Sequence, residues 1–96
     1  MFTEGYINIF RKILDWEWYS DINTSRIFIH LLLTANWTEQ KWQGIQIKRG
    51  QRVTSLEHLA NETGLSIQQV RTALKKLQKT RRINNQNNKQ IYSYNH

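Results

Sequence analysis

The stretch Thr54–Thr80, TSLEHLANETGLSIQQVRTALKKLQKT, reads as two helices joined by a tight turn. The first helix is expected from about Ser55 to Thr63, with Leu56, Leu59 and Ala60 on one face at helical spacing. Thr54 or Ser55 can cap its start, and Thr54 with Glu57 fits the S/T-x-x-E capping box. Gly64 ends it, because glycine enters the left-handed cap conformation at little steric cost. Leu65 then turns inward and Ser66 opens the second helix, where Ser66 and Gln69 form a second capping box. Ile67, Val70, Leu74 and Leu77 fall at i, i+3, i+7 and i+10, the spacing of a buried stripe. The opposite face carries Gln68, Thr72, Lys75, Lys76 and Lys79, with Gln69 and Arg71 on its flanks and no acid.

A small residue at Ala60, glycine at Gly64 and an apolar residue at Val70 give the spacing of a helix-turn-helix. Ala60 admits the second helix at close range, Gly64 makes the turn and Val70 fixes the crossing. In such motifs the second helix enters the major groove with its first turns toward base edges. An ordinary helical hairpin buried in a core is the plain alternative. The uniformly basic, amide-rich outer face favours nucleic acid.

Ninety-six residues make one small domain with room for one core. There is no cysteine, so neither a disulfide framework nor thiol chemistry is open to it. His30, His58 and His96 lack metal-ligand spacing, the seven carboxylates form no catalytic pair, and the four glycines are isolated rather than gathered into a phosphate-cradling loop. An enzyme, a metal or a cofactor is therefore not expected. No apolar run approaches the ~18 residues of a membrane span, and MFTEGYINIF at the N-terminus is no signal peptide, so a cytoplasmic protein is expected.

The net charge of +7 is unevenly placed. Residues 1–44 carry four bases against five acids, and residues 45–96 carry ten bases against Glu57 and Glu62 alone. From Ser66 onward there are seven bases and no acid. Such segregation implies a polyanionic partner for the C-terminal half, with double-stranded DNA ahead of a membrane surface because no basic helix has a spare apolar face.

Upstream, GYINIFRKILDWEWY (residues 5–19) is dense in apolar and aromatic side chains. It suits a short extended start and a helix from about Phe10 to Asp15, and it either wraps the core or makes a self-association contact through Phe10, Trp16 and Trp18. Asp21–Thr24 is a turn and cap, and RIFIHLLLTA (residues 26–35) is the central buried helix, with His30 a structural residue at its margin. Residues 36–44 read as a polar loop holding Trp37 and Trp42. Ile45 and Ile47 alternate in a short strand that turns at Arg49-Gly50 and leads into the first motif helix, and Lys48, Arg49 and Arg52 cluster near that helix's phosphate-favouring N-terminus. After Thr80, Ile83 and the returning Ile91, Tyr92 and Tyr94 bracket a run of asparagines and glutamine, which suits a basic β-hairpin, the wing of a winged helix. A disordered polar tail is the alternative.

Three blocks carry a family resemblance: GYINIFRKILDWEWYSDINTSRIFIHLLLTANW (5–37), KWQGIQIKRGQRVTS (41–55) and LANETGLSIQQVRTALKKLQKT (59–80). In this order they resemble the N-terminal domain of DnaD-like replication proteins, and most closely the phage replisome organisers of Gram-positive bacteria. The resemblance implies a winged helix that serves replication initiation by binding origin DNA, self-associating, or both. It also implies contact with helicase-loading machinery through a region outside these residues. Arg81-Arg82 stand where the family usually has a glycine and an acid, which alters the helix end and adds positive charge.

The expected fold is mostly α with a small β-hairpin (α+β), a winged helix-turn-helix. One domain over 1–96 would hold an aromatic extension (1–20), a central helix (22–36), a short strand (45–53), the helix-turn-helix (55–79) and the wing (81–94). Gln68, Gln69 and Thr72 are the expected base readers, because an amide bonds adenine at two edge atoms. Arg71 reads guanine or holds a phosphate. Lys75, Lys76 and Lys79 hold phosphates, Arg81, Arg82, Asn87 and Lys89 bring the wing to the backbone or minor groove, and Ser55 and Ser66 at the helix starts complete the set. One domain reads few base pairs, so strong specificity calls for a homodimer, a higher oligomer or repeated sites. Two other roles fit the same sequence: a protein-interaction module working through its aromatic segment, and a transcriptional regulator.

Overall fold

In the computed structural model, which describes residues 7, 9, 11–36, 40–42, 44–48, 50–85 and 91–94, the described residues form a mostly helical α+β domain. Helix α1 (Ile22–Thr34) begins where the Asp21 carboxylate accepts a hydrogen bond from the Thr24 amide at 3.1 Å. It buries Thr24, Ile27 and Leu31, one helical face. Before it lies a short 3-10 helix, Arg11–Asp15, where a helix from about Phe10 to Asp15 is expected.

Helix α2 (Leu56–Thr63) is capped by Ser55, whose hydroxyl accepts from the His58 amide at 3.2 Å. The Thr54–Glu57 box does not form: Thr54 is buried and its hydroxyl has no partner. Gly64 ends the helix at φ 78, and a Cβ there would meet nothing within 4 Å. Glycine is used here for its backbone freedom, not for space. Helix α3 (Ile67–Lys79) starts with the expected capping box, Ser66 N to Gln69 Oε1 at 2.9 Å and Gln69 N to Ser66 Oγ at 3.1 Å.

The core is built on α3. Val70, Ala73, Leu74 and Leu77 are buried against Ile27 and Leu31 of α1 and Leu59 and Ala60 of α2, with Ile83 and Tyr92 closing the far side. Ile67 does not belong to this stripe: it is 43% exposed. As the first helical residue it sits roughly 70° around the helix from the centre of the buried set, beyond the reach of the neighbours that cover Val70.

Five short strands complete the described fold. Strand β1 (Gln40–Trp42) pairs antiparallel with β2 (Ile45–Ile47), so part of the expected loop at 36–44 is a strand. Strand β3 (Gln51–Val53) pairs with β5 (Ile91–Tyr94), and β5 with β4 (Ile83–Asn85), giving the sheet order β3-β5-β4. The single strand expected over 45–53 is thus two strands in separate sheets. Gly50, at φ 86, takes the chain out of one and into the other. Strands β4 and β5 occupy the segment expected to return as a hairpin, with Ile83 opposite Tyr94.

A polar knot ties α1, β3 and α2 together. The Arg52 guanidinium reaches Glu62 with two bonds of 2.8 Å and the Thr34 hydroxyl at 3.0 Å. His30 Nε2 donates to the same Glu62 carboxylate at 3.0 Å, which fits its expected structural role. Arg52 therefore faces the end of α2, not a phosphate site at its start. These donors, Arg52 above all, hold the Glu62 carboxyl down at about 2 against partial desolvation. A carboxyl depressed in the folded state stabilises above its ordinary value of 4.5 and loses that contribution as pH falls toward 2. Glu62→Gln is expected to lower stability at neutral pH and to flatten its fall between these two values. Denaturant titrations at a series of pH values test this, and an unchanged acid limb refutes it.

Helix α3 ends in a Schellman motif, with Arg82 N to Leu77 O at 2.8 Å and Arg81 N to Gln78 O at 3.0 Å. The left-handed position falls on Arg81, at φ 60. A side chain there costs about 1 kcal/mol against glycine. Arg81→Gly is therefore expected to be more stable than Arg81→Ala by about that amount, a comparison in which the arginine side chain is absent from both. Equal unfolding free energies for the two variants would refute the strain.

Candidate nucleic-acid interface

The outer face of α3 follows from how its inner face is spent. With Val70, Ala73, Leu74 and Leu77 turned to the core, Gln68, Arg71, Thr72, Lys75 and Lys79 are left exposed on the other side. Gln68 is held only at the limit of hydrogen bonding: its Nε2 lies 3.4 Å from Thr72 Oγ1, and Arg71 NH1 lies 3.5 Å from its Oε1. Contacts this long on an exposed face exchange readily for a ligand's groups. Among the described residues, Lys75 and Lys79 have no ion-pair partner.

Other expected contact residues have structural work. Ser55 and Ser66 cap α2 and α3, and Gln69 returns its amide oxygen to the Ser66 backbone. Lys76 donates to Asp21 Oδ2 at 2.7 Å and lies 5.5 Å from the centre of the Trp18 ring. The lysine in turn keeps the Asp21 carboxyl below its ordinary range. Arg82 repeats the arrangement more loosely: its NH2 lies 3.4 Å from Glu17 Oε2 and its Cζ 5.9 Å from the Trp16 ring, while its buried Nε has no partner. Each cation is set between an acid and a tryptophan of the segment before α1.

Trp16 and Trp18, two of the residues expected to self-associate, are both turned inward. Trp18 Nε1 donates to the Thr80 hydroxyl at 3.0 Å, and Trp16 packs on Phe28 with ring centres 4.8 Å apart. Among the described residues up to the start of α1, the large apolar side chains left exposed are Ile7, Ile9, Leu14, Tyr19 and Ile22. Phe10, Asn87 and Lys89 lie outside the described residues, as do Trp37 and Arg49. Arg81 is exposed at the turn after α3.

Residues of α1 lie beside this face, and sequence periodicity gives no signal for them. A groove of about 160 Å³ runs between the first turn of α1 and α3, lined by Asn23 and Thr24 on one side and Gln68, Gln69 and Thr72 on the other. The two sides are more than forty residues apart in the chain. Among the described residues no group of three or more histidines or carboxylates could hold a metal ion, and no helix is long and apolar enough to cross a membrane.

Since Lys76 fastens α3 to Asp21 and Trp18, Lys76→Met is expected to cost about 1–2 kcal/mol of stability, read from denaturant midpoints. Asp21→Asn keeps the α1 cap but removes the charge that Lys76 faces. Once Asp21→Asn is in place, adding Lys76→Met is expected to cost much less than it does alone. Additive losses in the double variant would show that the pair is uncoupled. No protein-family model, curated protein or solved structure matches the chain.

Proposed function

We propose that the chain is a DNA-binding winged helix of the DnaD-like kind, acting in replication initiation as a replisome organiser does. One observation carries the proposal: the exposed face of α3 presents an amide, a hydroxyl and three unopposed or weakly held cations, with no acid on the helix. Sequence reading of B-DNA needs such donors and acceptors on a rod that fits the major groove. The element order supports the reading further. Helix α1, strand β3, helices α2 and α3 and then the pair β4–β5, with β5 between β3 and β4, follow one another as the parts of a winged helix would.

In this mechanism α3 lies in the major groove of origin DNA. Gln68 bonds adenine through its amide, Arg71 reads guanine or grips a phosphate, and Lys75 and Lys79 neutralise phosphates further along. The β4–β5 pair approaches the neighbouring backbone. Phosphate neutralisation supplies the salt-sensitive bulk of the affinity and the base contacts supply the choice of site. Lys76 takes no direct part, because Asp21 already holds it within the fold, whereas the long Arg82–Glu17 contact leaves Arg82 able to exchange to a phosphate. Contact with helicase-loading machinery runs through residues other than these, and the setting is the bacterial cytoplasm.

Selection of duplexes from a random pool, followed by binding at several salt concentrations, tests the proposal. Gln68→Ala is expected to relax the preference at one base pair, by about 1–3 kcal/mol, with little change in nonspecific affinity. Lys75→Ala is expected to weaken every duplex and to reduce the slope of log affinity against log salt by about one. If neither variant changes binding, this face is not the one that meets DNA.

A further inference from the structure

We infer that Ile67 is a specificity-determining residue, reading the C5-methyl of thymine beside the adenine that Gln68 bonds. The inference rests on the DNA-binding reading and deepens it by naming the base pairs that the first turn of α3 selects. Ile67 has the spacing of a core residue, yet it is 43% exposed while Val70, one turn on, is fully buried. It is the first residue of α3, the end that a helix of this kind points at base edges. A β-branched side chain adds nothing to helix propensity, so the fold gains little from isoleucine at an open first turn.

The neighbours favour thymine. Gln68 is adjacent in the chain, and Arg71 is one turn further along, roughly 40° around the helix from Ile67. In the major groove, an A·T pair offers adenine N6 and N7 to an amide and, a few ångströms away, the thymine methyl to an apolar group. A G·C pair offers no methyl. An amide and an isoleucine side by side therefore match an A·T pair or an A·T step, with Arg71 and Lys75 left for guanines or phosphates deeper in the site. The capping box, which engages Ser66 and Gln69, fixes the backbone of this first turn and so the direction in which both side chains leave it.

Uracil differs from thymine by the methyl group alone, which makes the test direct. Duplexes selected by the wild-type chain are remade with uracil at each thymine in turn, and affinities are measured for the wild type, Ile67→Val and Ile67→Ala. The wild type is expected to lose about fourfold at one thymine, the value of one buried methyl group. Ile67→Ala is expected to bind the thymine and uracil duplexes equally, with Ile67→Val between the two. Since Ile67 is exposed, the thermal midpoints of the variants should match the wild type. Indifference of the wild type to uracil at every position overturns the inference, as does a wild-type thymine preference retained in Ile67→Ala. A wild type that binds no duplex would instead bring down the DNA-binding reading, and this inference with it.

Discussion

Everything in this fold depends on one helix being two-sided. Helix α3 buries Val70, Ala73, Leu74 and Leu77 against both other helices and the small sheet, and each large side chain so buried contributes about 1.5–3 kcal/mol. Because the inner face is fixed by that burial, the outer face is fixed as well. Gln68, Arg71, Thr72, Lys75 and Lys79 do not need a scaffold of their own; they inherit rigidity from the core behind them. The two ends of α3 are pinned by local chemistry, a reciprocal Ser66–Gln69 cap at one and a Schellman turn at the other. A helix held in this way presents its polar side chains in a fixed frame, which is what recognition of a regular duplex requires.

Much of this is legible from residue order alone. The caps at Ser55 and Ser66, the turn at Gly64 and the burial of Val70, Leu74 and Leu77 all depend on neighbours within a few positions, and periodicity and capping rules read such neighbours well. The failures lie where distant parts meet. A helical wheel gives Lys76 a direction but not a partner, and Asp21 and Trp18 stand more than fifty residues away in the chain. The same holds for Arg82 with Glu17 and Trp16, whereas Arg52 and Glu62 are ten residues apart but lie in different elements. Ile67 departs from its expected place for a different reason: a stripe extrapolated to the first turn of a helix overruns the elements that cover it. The turn expected at Arg49-Gly50 is present at Gly50, but the pairing of the segments on either side into separate sheets cannot be foreseen from the alternation of Ile45 and Ile47.

The segment before α1 changes meaning once it is seen folded. In the sequence its tryptophans fit either the core or a partner; in the fold Trp16 and Trp18 flank the end of α3 and each shares a cation with an acid close by. The ion pair at Asp21 also holds the start of α1, since the same carboxylate caps that helix. Helices α1 and α3 are thereby tied at a single side chain, in addition to the apolar packing between them.

That fastening has a consequence for how the molecule looks to its surroundings. Arg52, Lys76 and Arg82 each face a carboxylate of the same chain; those carboxylates are already subtracted in the formal +7, so the excess positive charge rests on the other cations. On the outer face of α3, Lys75 and Lys79 stay outside these pairs. Pairing leaves the size of the excess charge unchanged and decides only which side chains carry it.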